Sequence, residues 1–198
     1  MSVLVGKEAP GFKAQAVMPD NSFKEISLSD YQGKYVVLFF YPLDFTFVCP
    51  SEIIAFDHRL SEFKARNVEV IAVSIDSHFT HLAWKNTAVA DGGIGNVQFP
   101  MIADIDKAIT DAYDMRVNPG IALRGSFLID KNGIVQHQVV NALALGRNVD
   151  EMLRMVDALQ FTEEHGEVCP AGWHKGKEGM KGSTEGVAEY LAKHAEEL

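Results

Sequence analysis

Residues 35–52, YVVLFFYPLDFTFVCPSE, predict a buried strand that runs through a short loop into a helix. The apolar run 35–41 has no polar interruption, which is typical of a strand covered on both faces. From Ile53 onward, apolar residues recur with helical spacing, at positions 53, 56, 60 and 63. Cys49, one of two cysteines in the chain, therefore lies close to the start of a helix.

Residues next to Cys49 favour a reactive thiol. Pro50 suits the first helical position because a missing N–H costs nothing there, and Glu52 adds an acid to the first turn. Thiols at helix N-termini ionise more readily than free cysteine, and the thiolate is the nucleophilic form. A buried and unreactive thiol is the commoner fate of a single cysteine. The other residues of the chain must decide between these two interpretations.

Apolar patterns along the rest of the chain predict alternating strands and helices. The predicted segments, in chain order, are a hairpin at 12–28, the strand 35–41, a helix at 50–65, a strand at 68–75, a helix at 79–85, a strand at 99–103, a helix at 107–113, a hairpin of 121–130 with 134–140, and a helix from 148. Parallel strands followed by an antiparallel hairpin and a helix form the order of a thioredoxin-like domain. The predicted fold class is therefore α/β, with a thioredoxin-like mixed sheet flanked by helices, an N-terminal hairpin extension and a C-terminal arm.

Local composition marks a hairpin turn and a domain boundary. The pair Asn132-Gly133 supplies the positive-φ residues that a tight hairpin turn needs. After Phe161, glycines recur through a charged stretch, which indicates an arm without a core of its own. We therefore predict a domain over residues 1–161 and an arm over 162–198.

The composition argues against nucleic-acid and membrane partners. Lys and Arg total 18 against 27 Asp and Glu, a net charge of -9, whereas nucleic-acid-binding surfaces carry an excess of cations. No window approaches the ~18 apolar residues of a membrane helix. Residues 1–10 lack the basic and apolar regions of an export signal. We therefore expect a cytoplasmic protein, in which two cysteines favour catalysis over a structural disulfide.

Several other cysteine or metal sites can be weighed against this sequence. A local Cys-x-x-Cys disulfide is excluded because Glu52 stands three residues after Cys49, and a cysteine phosphatase is excluded because Ala55 stands where arginine is required. Papain-like hydrolysis lacks its local signature, although seven histidines leave a partner histidine open. His78 and His81 could bind a metal, but no third ligand accompanies them, so a solvated or interfacial helix face is favoured.

Thr46 and Arg124 supply the groups that a reactive thiolate needs. Thr46 places a hydroxyl three residues before Cys49, and Arg124 is a cation in an apolar strand, where it requires a partner or a function. If that strand neighbours 35–41, Arg124 reaches the sheet edge where Cys49 lies. These groups suit attack on a small electrophile such as a peroxide oxygen, which gives a sulfenic acid that a second thiol can convert into a disulfide.

Three segments of the chain resemble the typical two-cysteine peroxiredoxins, especially those of the bacterial alkyl hydroperoxide reductase C type. They are 42–52 (PLDFTFVCPSE), 122–127 (ALRGSF) and 165–173 (HGEVCPAGW). The resemblance covers essentially the whole chain, and the second Val-Cys-Pro segment, at Cys169, selects the two-cysteine class. It implies a thiol-specific peroxidase that reduces hydrogen peroxide and organic hydroperoxides without a metal, haem or flavin of its own. Residues 1–161 would then be the peroxidase domain.

The resemblance also implies a role for each matched residue. It makes Cys49 the peroxidatic nucleophile and Cys169 of a partner subunit the resolving cysteine, so that the two form an intersubunit disulfide. The other implied roles are peroxide binding by Thr46 and Arg124, shielding of the thiolate by Pro42 and orientation of Arg124 by Glu52. Apart from the resemblance, a tryptophan such as Trp84 is usually a core or interface residue, and we expect it in a supporting position behind the site.

The partners implied by the resemblance begin with a second copy of the chain. Relatives form homodimers, and five dimers form a ring through aromatic residues near the active-site loop and residues 76–81. Thioredoxin and a flavoprotein disulfide reductase are both open as the reductant. A second class of function is that of a holdase chaperone, which some relatives show when over-oxidised or assembled into larger forms.

A glycine-rich segment bears on over-oxidation. Gly92, Gly93, Ile94 and Gly95 resemble the insertion that is linked in this family to easy over-oxidation of the peroxidatic sulfur. Its usual companion is a Tyr-Phe pair in the C-terminal helix, whereas here Tyr190 is followed by leucine. With half of the pattern present, we expect intermediate sensitivity.

Overall fold

The computed structural model describes residues 2–118 and 120–198. The chain divides into two compact units, with the division between Val149 and Asp150. The first unit contains a seven-stranded sheet and four helices in its described residues. The second contains most of one long helix and a further helix near the C-terminus.

The elements have the following bounds. The strands are β1 (Lys13–Val17), β2 (Phe23–Ser27), β3 (Tyr35–Phe40), β4 (Val68–Ser74), β5 (Met101–Ala103), β6 (Arg116–Val117), β7 (Ile121–Ala122), β8 (Arg124–Ile129) and β9 (Val135–Asn141). The helices are α1 (Cys49–His58), α2 (Leu60–Ala65), α3 (His78–Lys85), α4 (Ala108–Ala112), α5 (Val149–His165) and α6 (Thr184–His194).

The large sheet has the strand order β2-β1-β5-β4-β3-β8-β9, and β6 pairs with β7 outside it. Strand β3 lies parallel to β4 and antiparallel to β8, while β4 is parallel to β5. The hairpin β1-β2 joins the sheet antiparallel to β5, and β8-β9 forms the second hairpin. The predicted mixed α/β fold with an N-terminal hairpin is therefore confirmed.

Strand β3 lies inside the sheet, and all six of its residues are buried. This burial on both faces explains its uninterrupted apolar sequence. Phe39 stacks on Phe56 of α1 with a centroid separation of 4.3 Å, and it meets Phe99 edge to face at 5.7 Å. The Phe39–Phe56 contact holds α1 against the sheet.

Two predicted segments differ from the structure. The single helix predicted at 50–65 is broken at Arg59, whose φ of -103° and ψ of 6° leave the helical region, although Phe56, Leu60 and Phe63 all remain buried. The strand predicted at 121–130 is also broken, because β7 pairs with β6 before β8 enters the large sheet. The spacing of apolar residues predicts which residues are buried. It does not predict whether the helix or strand that carries them is continuous.

The turn of the β8-β9 hairpin also differs from its prediction. Of the pair Asn132-Gly133, only Gly133 has a positive φ, at 83°. The carboxylate of Asp130 accepts hydrogen bonds from the backbone N–H groups of Asn132 and Ile134, at 2.8 and 3.0 Å. This side-chain contact to the backbone bends the chain, which leaves one positive-φ position for glycine.

The second unit contains the segment that follows α5. Phe161 packs on Trp173 with a centroid separation of 4.7 Å, and an antiparallel bridge joins Val168 to Met180. The indole of Trp173 is buried and donates to the carbonyl of Lys177 at 3.0 Å. No helix in the described residues has the length and apolar character that a membrane crossing requires. The boundary that we predict after Phe161 stays a prediction.

Truncation of Phe56 is expected to destabilise the unit that carries the site. Phe56 is buried between Phe39 and the core, so Phe56→Ala should lower the free energy of unfolding by about 3–5 kcal/mol. Urea unfolding of the reduced protein, followed by circular dichroism at a fixed protein concentration, measures the change. Lys64→Ala, an exposed change on α2, is the control and should stay within about 0.5 kcal/mol. Equal stability of the two variants would contradict the packing role.

Candidate active site

The loop between β3 and α1 is held in an uncommon backbone conformation. Tyr41 and Pro42 are buried at its start, and Phe45 has a φ of +52°, in the left-handed region that few side chains adopt. The ring of Phe45 packs against Trp84 at 5.7 Å. Strain of this kind persists only where the surroundings enforce it, and it is common at functional sites.

Cys49 is the first residue of α1, and its side chain is buried. The hydroxyl of Thr46 lies 2.9 Å from its Sγ and 2.8 Å from the carbonyl oxygen of Leu43. A guanidinium N–H of Arg124 points at the same sulfur from 3.4 Å. The sulfur therefore has a hydroxyl and a cation within hydrogen-bond reach.

Glu52, one turn further along α1, accepts a 2.6 Å hydrogen bond from the same Arg124 nitrogen that faces Cys49. The Nε of Arg124 donates to the carbonyl of Leu143 at 2.7 Å. Two fixed acceptors thus aim the guanidinium at the sulfur. The prediction that β8 would lie beside β3, and so bring Arg124 to Cys49, is confirmed.

A second arginine, Arg147, completes the group, and the sequence analysis did not identify it. Its Nε and a terminal nitrogen donate to the two oxygens of Glu52, at 2.8 and 2.9 Å, and its backbone N–H donates to Glu52 at 2.9 Å. Its other terminal nitrogen donates to the carbonyls of Phe40 and Gly125, both at 2.8 Å. In the sequence, Arg147 follows a glycine and stands just before a predicted helix, where a cation is ordinary. No signal in the sequence separates it from a surface arginine.

The charges of these buried groups do not cancel. One carboxylate, Glu52, faces two guanidiniums, Arg124 and Arg147, and all three side chains are nearly inaccessible. Burial lowers the pKa of Arg147 from its ordinary value, while the neighbouring Glu52 opposes that shift. With both guanidiniums protonated, one positive charge remains in excess beside Cys49. Arg124 brings part of this charge within 3.4 Å of the Cys49 sulfur.

A buried polar network lies under the loop and joins it to α3. Asp44 accepts a 2.7 Å hydrogen bond from the hydroxyl of Tyr41, and its other oxygen lies 2.7 Å from Nδ1 of His81. The Nε2 of His81 lies 3.1 Å from the carbonyl of Ile102, which can only accept, so Nε2 carries a proton. His81 is fully buried, so the predicted solvated or interfacial position is wrong for this residue.

Asp76 ties the loop to the end of β4. Its carboxylate accepts from the backbone N–H of Asp44 at 2.9 Å and from the hydroxyl of Ser74 at 2.7 Å. Burial raises the pKa of Asp76, with Asp44 as the next cause. Within the described residues, no group of three or more potential ligands is placed to hold a metal ion.

The other predicted site residues lie apart from the Cys49 cluster. Trp84 is fully buried and donates from its indole to the carbonyl of Gly92 at 2.9 Å. Gly92 has a φ of +84°, and a Cβ on Gly93 would lie 2.0 Å from the carbonyl oxygen of Thr87, so this loop requires glycine. Ile94 and Gly95 continue the same segment. The structure therefore places Trp84 between the Phe45 loop and the glycine segment.

Cys169 and Tyr190 belong to the second unit. The Sγ of Cys169 lies 3.5 Å from the carbonyl of Ala158 and 3.7 Å from the hydroxyl of Thr162. Tyr190 lies on α6, where its ring packs against His194 at 4.6 Å. Both cysteines of the chain are free thiols.

Residues 5–138 match the family model described as the AhpC/TSA family. The chain belongs to the AhpC/TSA family. A second model, described as the C-terminal domain of 1-Cys peroxiredoxin, matches residues 158–193 and so includes Cys169.

Similar proteins cover nearly the whole chain. Alkyl hydroperoxide reductase C of Helicobacter pylori strain J99 is 60% identical over 198 residues, which are 99% of this chain and 100% of the relative. Peroxiredoxin-1 of Gekko japonicus is 54% identical over 191 residues, or 96% of each protein. The crystal structure of reduced Plasmodium vivax 2-Cys peroxiredoxin is 57% identical, with a TM-score of 0.95 over 96% of this chain and 100% of that one. The predictions of a peroxiredoxin and of thiol-dependent peroxidase activity are confirmed.

Loss of Arg147 is expected to destabilise this AhpC/TSA family member severely. Arg147→Met breaks a buried ion pair and leaves the carbonyls of Phe40 and Gly125 without this donor, so the free energy of unfolding should fall by about 3–5 kcal/mol. Arg116→Met breaks an exposed pair with Asp111 and should cost less than about 1 kcal/mol. Urea unfolding of the two variants measures the difference, and similar losses would contradict the structural role of Arg147.

Proposed function

We propose that this thiol peroxidase reduces hydrogen peroxide and organic hydroperoxides with Cys49 as the nucleophile. The observation that carries the proposal is the surroundings of the Cys49 sulfur, with the Thr46 hydroxyl at 2.9 Å and an Arg124 N–H at 3.4 Å. The buried arginines supply positive charge next to the sulfur that we assign as the nucleophile. The name of the H. pylori relative, alkyl hydroperoxide reductase C, supports organic hydroperoxides among the substrates.

In the first step, the Cys49 thiolate attacks one oxygen of the peroxide. A sulfur–oxygen bond forms as the oxygen–oxygen bond breaks, which leaves a sulfenic acid on Cys49 and releases water or an alcohol once the departing oxygen gains a proton. Negative charge moves from sulfur to the departing oxygen. Donors that are already aimed at this position stabilise that charge without reorganising.

Arg124 and Thr46 are the donors that we assign to the peroxide. Glu52 and the carbonyl of Leu143 fix the Arg124 guanidinium, so little conformational entropy is lost when it binds the peroxide. The Thr46 hydroxyl has one proton, which it can give to the Leu43 carbonyl or turn toward the reacting atoms. Pro42 is proposed to shield the thiolate, since it is buried at the start of the same loop.

In the second step, we propose that Cys169 of a partner subunit attacks the sulfenic sulfur of Cys49. A disulfide forms and water leaves. Cys49 is fully buried at a helix start, so another thiol can reach it only if the first turn of α1 opens. Pro50 contributes no N–H to that turn, so its own backbone nitrogen makes no hydrogen bond that opening would have to break.

The proposal includes a homodimer and a ring of five dimers. Phe47 and Phe79 expose 96% and 65% of their surface, and Phe79 forms an edge-to-face contact with the half-exposed Phe23. Exposed aromatic groups of this size favour protein–protein contacts.

We further propose a cytoplasmic location, with thioredoxin or a flavoprotein disulfide reductase as the source of electrons. Intermediate sensitivity to over-oxidation, from Gly92, Gly93, Ile94, Gly95 and Tyr190, is part of the same proposal.

The two cysteines are tested by a non-reducing gel after one equivalent of hydrogen peroxide. The wild type should give a disulfide-linked dimer, whereas Cys169→Ser should not, because its sulfenic acid has no partner thiol. Cys49→Ser should also lose peroxide consumption, measured after treatment with a metal chelator. A monomeric band from the wild type as well as from Cys169→Ser would contradict the intersubunit disulfide.

The donor role of Thr46 is tested by a pair of variants. Thr46→Val keeps the shape of the side chain but removes the hydroxyl, and kcat/KM for hydrogen peroxide should fall about 10²- to 10³-fold. Thr46→Ser keeps the hydroxyl and should retain most of the activity. Stopped-flow kinetics with the Cys169→Ser background isolates the first step. Similar rates for the two variants would show that the hydroxyl has no catalytic role.

A further inference from the structure

Three residues on one stripe of α5 hold the segment that carries Cys169. Arg154, Ala158 and Thr162 follow one another at intervals of four, so they share one helix face. Arg154 donates to the carbonyl of Trp173 at 2.7 Å, while Ala158 and Thr162 contact the Cys169 sulfur at 3.5 and 3.7 Å. We call these three residues the α5 clasp. They fix the cysteine and the chain four residues beyond it.

The hydrogen bonds of the clasp match a protonated Cys169. The Thr162 hydroxyl donates to the carbonyl of Ala158 at 3.0 Å. That carbonyl can only accept, so the 3.5 Å contact from Cys169 requires the proton of the thiol. At rest, the thiol proton of Cys169 is therefore directed at the Ala158 carbonyl.

When Cys169 loses its proton, the hydrogen bonds that its sulfur can make with these neighbours change. A thiolate has no proton for the Ala158 carbonyl and needs donors instead. Of the two groups in contact with the sulfur, only Thr162 has a proton to give, because its hydroxyl can turn from Ala158 to the sulfur without moving the helix. The pKa of the Arg154 guanidinium is raised, mainly by its side-chain hydrogen bond with Glu151. Negative charge on Cys169 makes the smallest contribution to the same rise.

We propose that Thr162 is a positioning residue for the resolving step. Its hydroxyl lies 3.7 Å from the Cys169 sulfur at rest and becomes the hydrogen-bond donor to the Cys169 thiolate, which then attacks the sulfenic acid of Cys49. The sulfenic oxygen leaves as water, with one proton supplied by the solvent, and the disulfide forms. The inference rests on the proposed function, since it concerns the second step of that reaction. Thr162 takes no part in the first step.

The test compares Thr162→Val with Thr162→Ser. Valine keeps the branched shape and leaves the Arg154–Trp173 and Cys169–Ala158 contacts in place, but it removes the hydroxyl and its hydrogen bond to the Ala158 carbonyl. Serine keeps the hydroxyl and is the matched control. Stopped-flow fluorescence with hydrogen peroxide gives the first step, whose rate is proportional to the peroxide concentration. Rapid alkylation and non-reducing gels give the rate of disulfide formation, which is independent of peroxide.

We expect Thr162→Val to leave the first step unchanged and to slow disulfide formation about 3- to 10-fold, the effect of losing one hydrogen bond to a partly exposed charged group. Thr162→Ser should restore the wild-type rate. Because the sulfenic acid of the valine variant survives longer, mass spectrometry should find more sulfinic acid on Cys49 at a given peroxide excess.

The outcomes separate the inference from the proposed function. If the wild type forms no Cys49–Cys169 disulfide, the proposed second step fails and the role of Thr162 in it is overturned as well. If the wild type forms it and Thr162→Val resolves at the same rate or faster, only the role of Thr162 is overturned. A serine variant as slow as the valine variant would also overturn it. If Thr162→Val does not fold by circular dichroism, Thr162→Ala takes its place with the same expected results.

Discussion

The site depends on one buried carboxylate held between two guanidiniums. Glu52 accepts four hydrogen bonds, one from Arg124 and three from Arg147, in a region that water scarcely reaches. A buried carboxylate is costly unless it is fully paired, so the fold around it must supply both cations at the right places. Arg147 also binds the carbonyls of Phe40 and Gly125, and it thereby ties together the ends of β3 and β8. The same contacts therefore stabilise the sheet and determine the electrostatics at Cys49.

The Cys49 loop has a strained backbone that a network of hydrogen bonds holds in place. Phe45 has a positive φ, and the network of Asp44, His81 and Asp76 holds the loop from beneath. This support aims Thr46 at the sulfur before any peroxide arrives, which is the basis of electrostatic preorganisation. The same support opposes the opening of α1 that the proposed second step requires. A loop that is strained yet held by buried hydrogen bonds suits both demands, because strain in the closed form lowers the cost of leaving it.

Local patterns were sufficient for most of the fold and part of the site. The apolar run of β3 and the position of Cys49 at the start of α1 follow from residue spacing alone, and the pairing of β8 with β3 brought Arg124 to the sulfur as predicted. The break of the predicted helix at Arg59 left no trace in the apolar pattern, because the pattern records which residues are buried and not whether the helix is continuous. The prediction for the hairpin turn was wrong for a related reason. The Asp130 side chain, which lies outside the Asn-Gly pair, shapes the turn.

The sequence by itself determined the chemistry of this protein, namely a thiol at a helix start with a hydroxyl three residues before it and a carboxylate three residues after it. These relations are local along the chain, since one turn of α1 separates Glu52 from Cys49 and the short loop before α1 carries Thr46. Only the tertiary structure decided that Arg147 shares Glu52 with Arg124, that His81 is buried against Asp44, and that Thr162 faces Cys169. Such contacts join residues that are distant along the chain or separated by an irregular turn. Since they depend on how strands and helices pack, no pattern within a single segment encodes them.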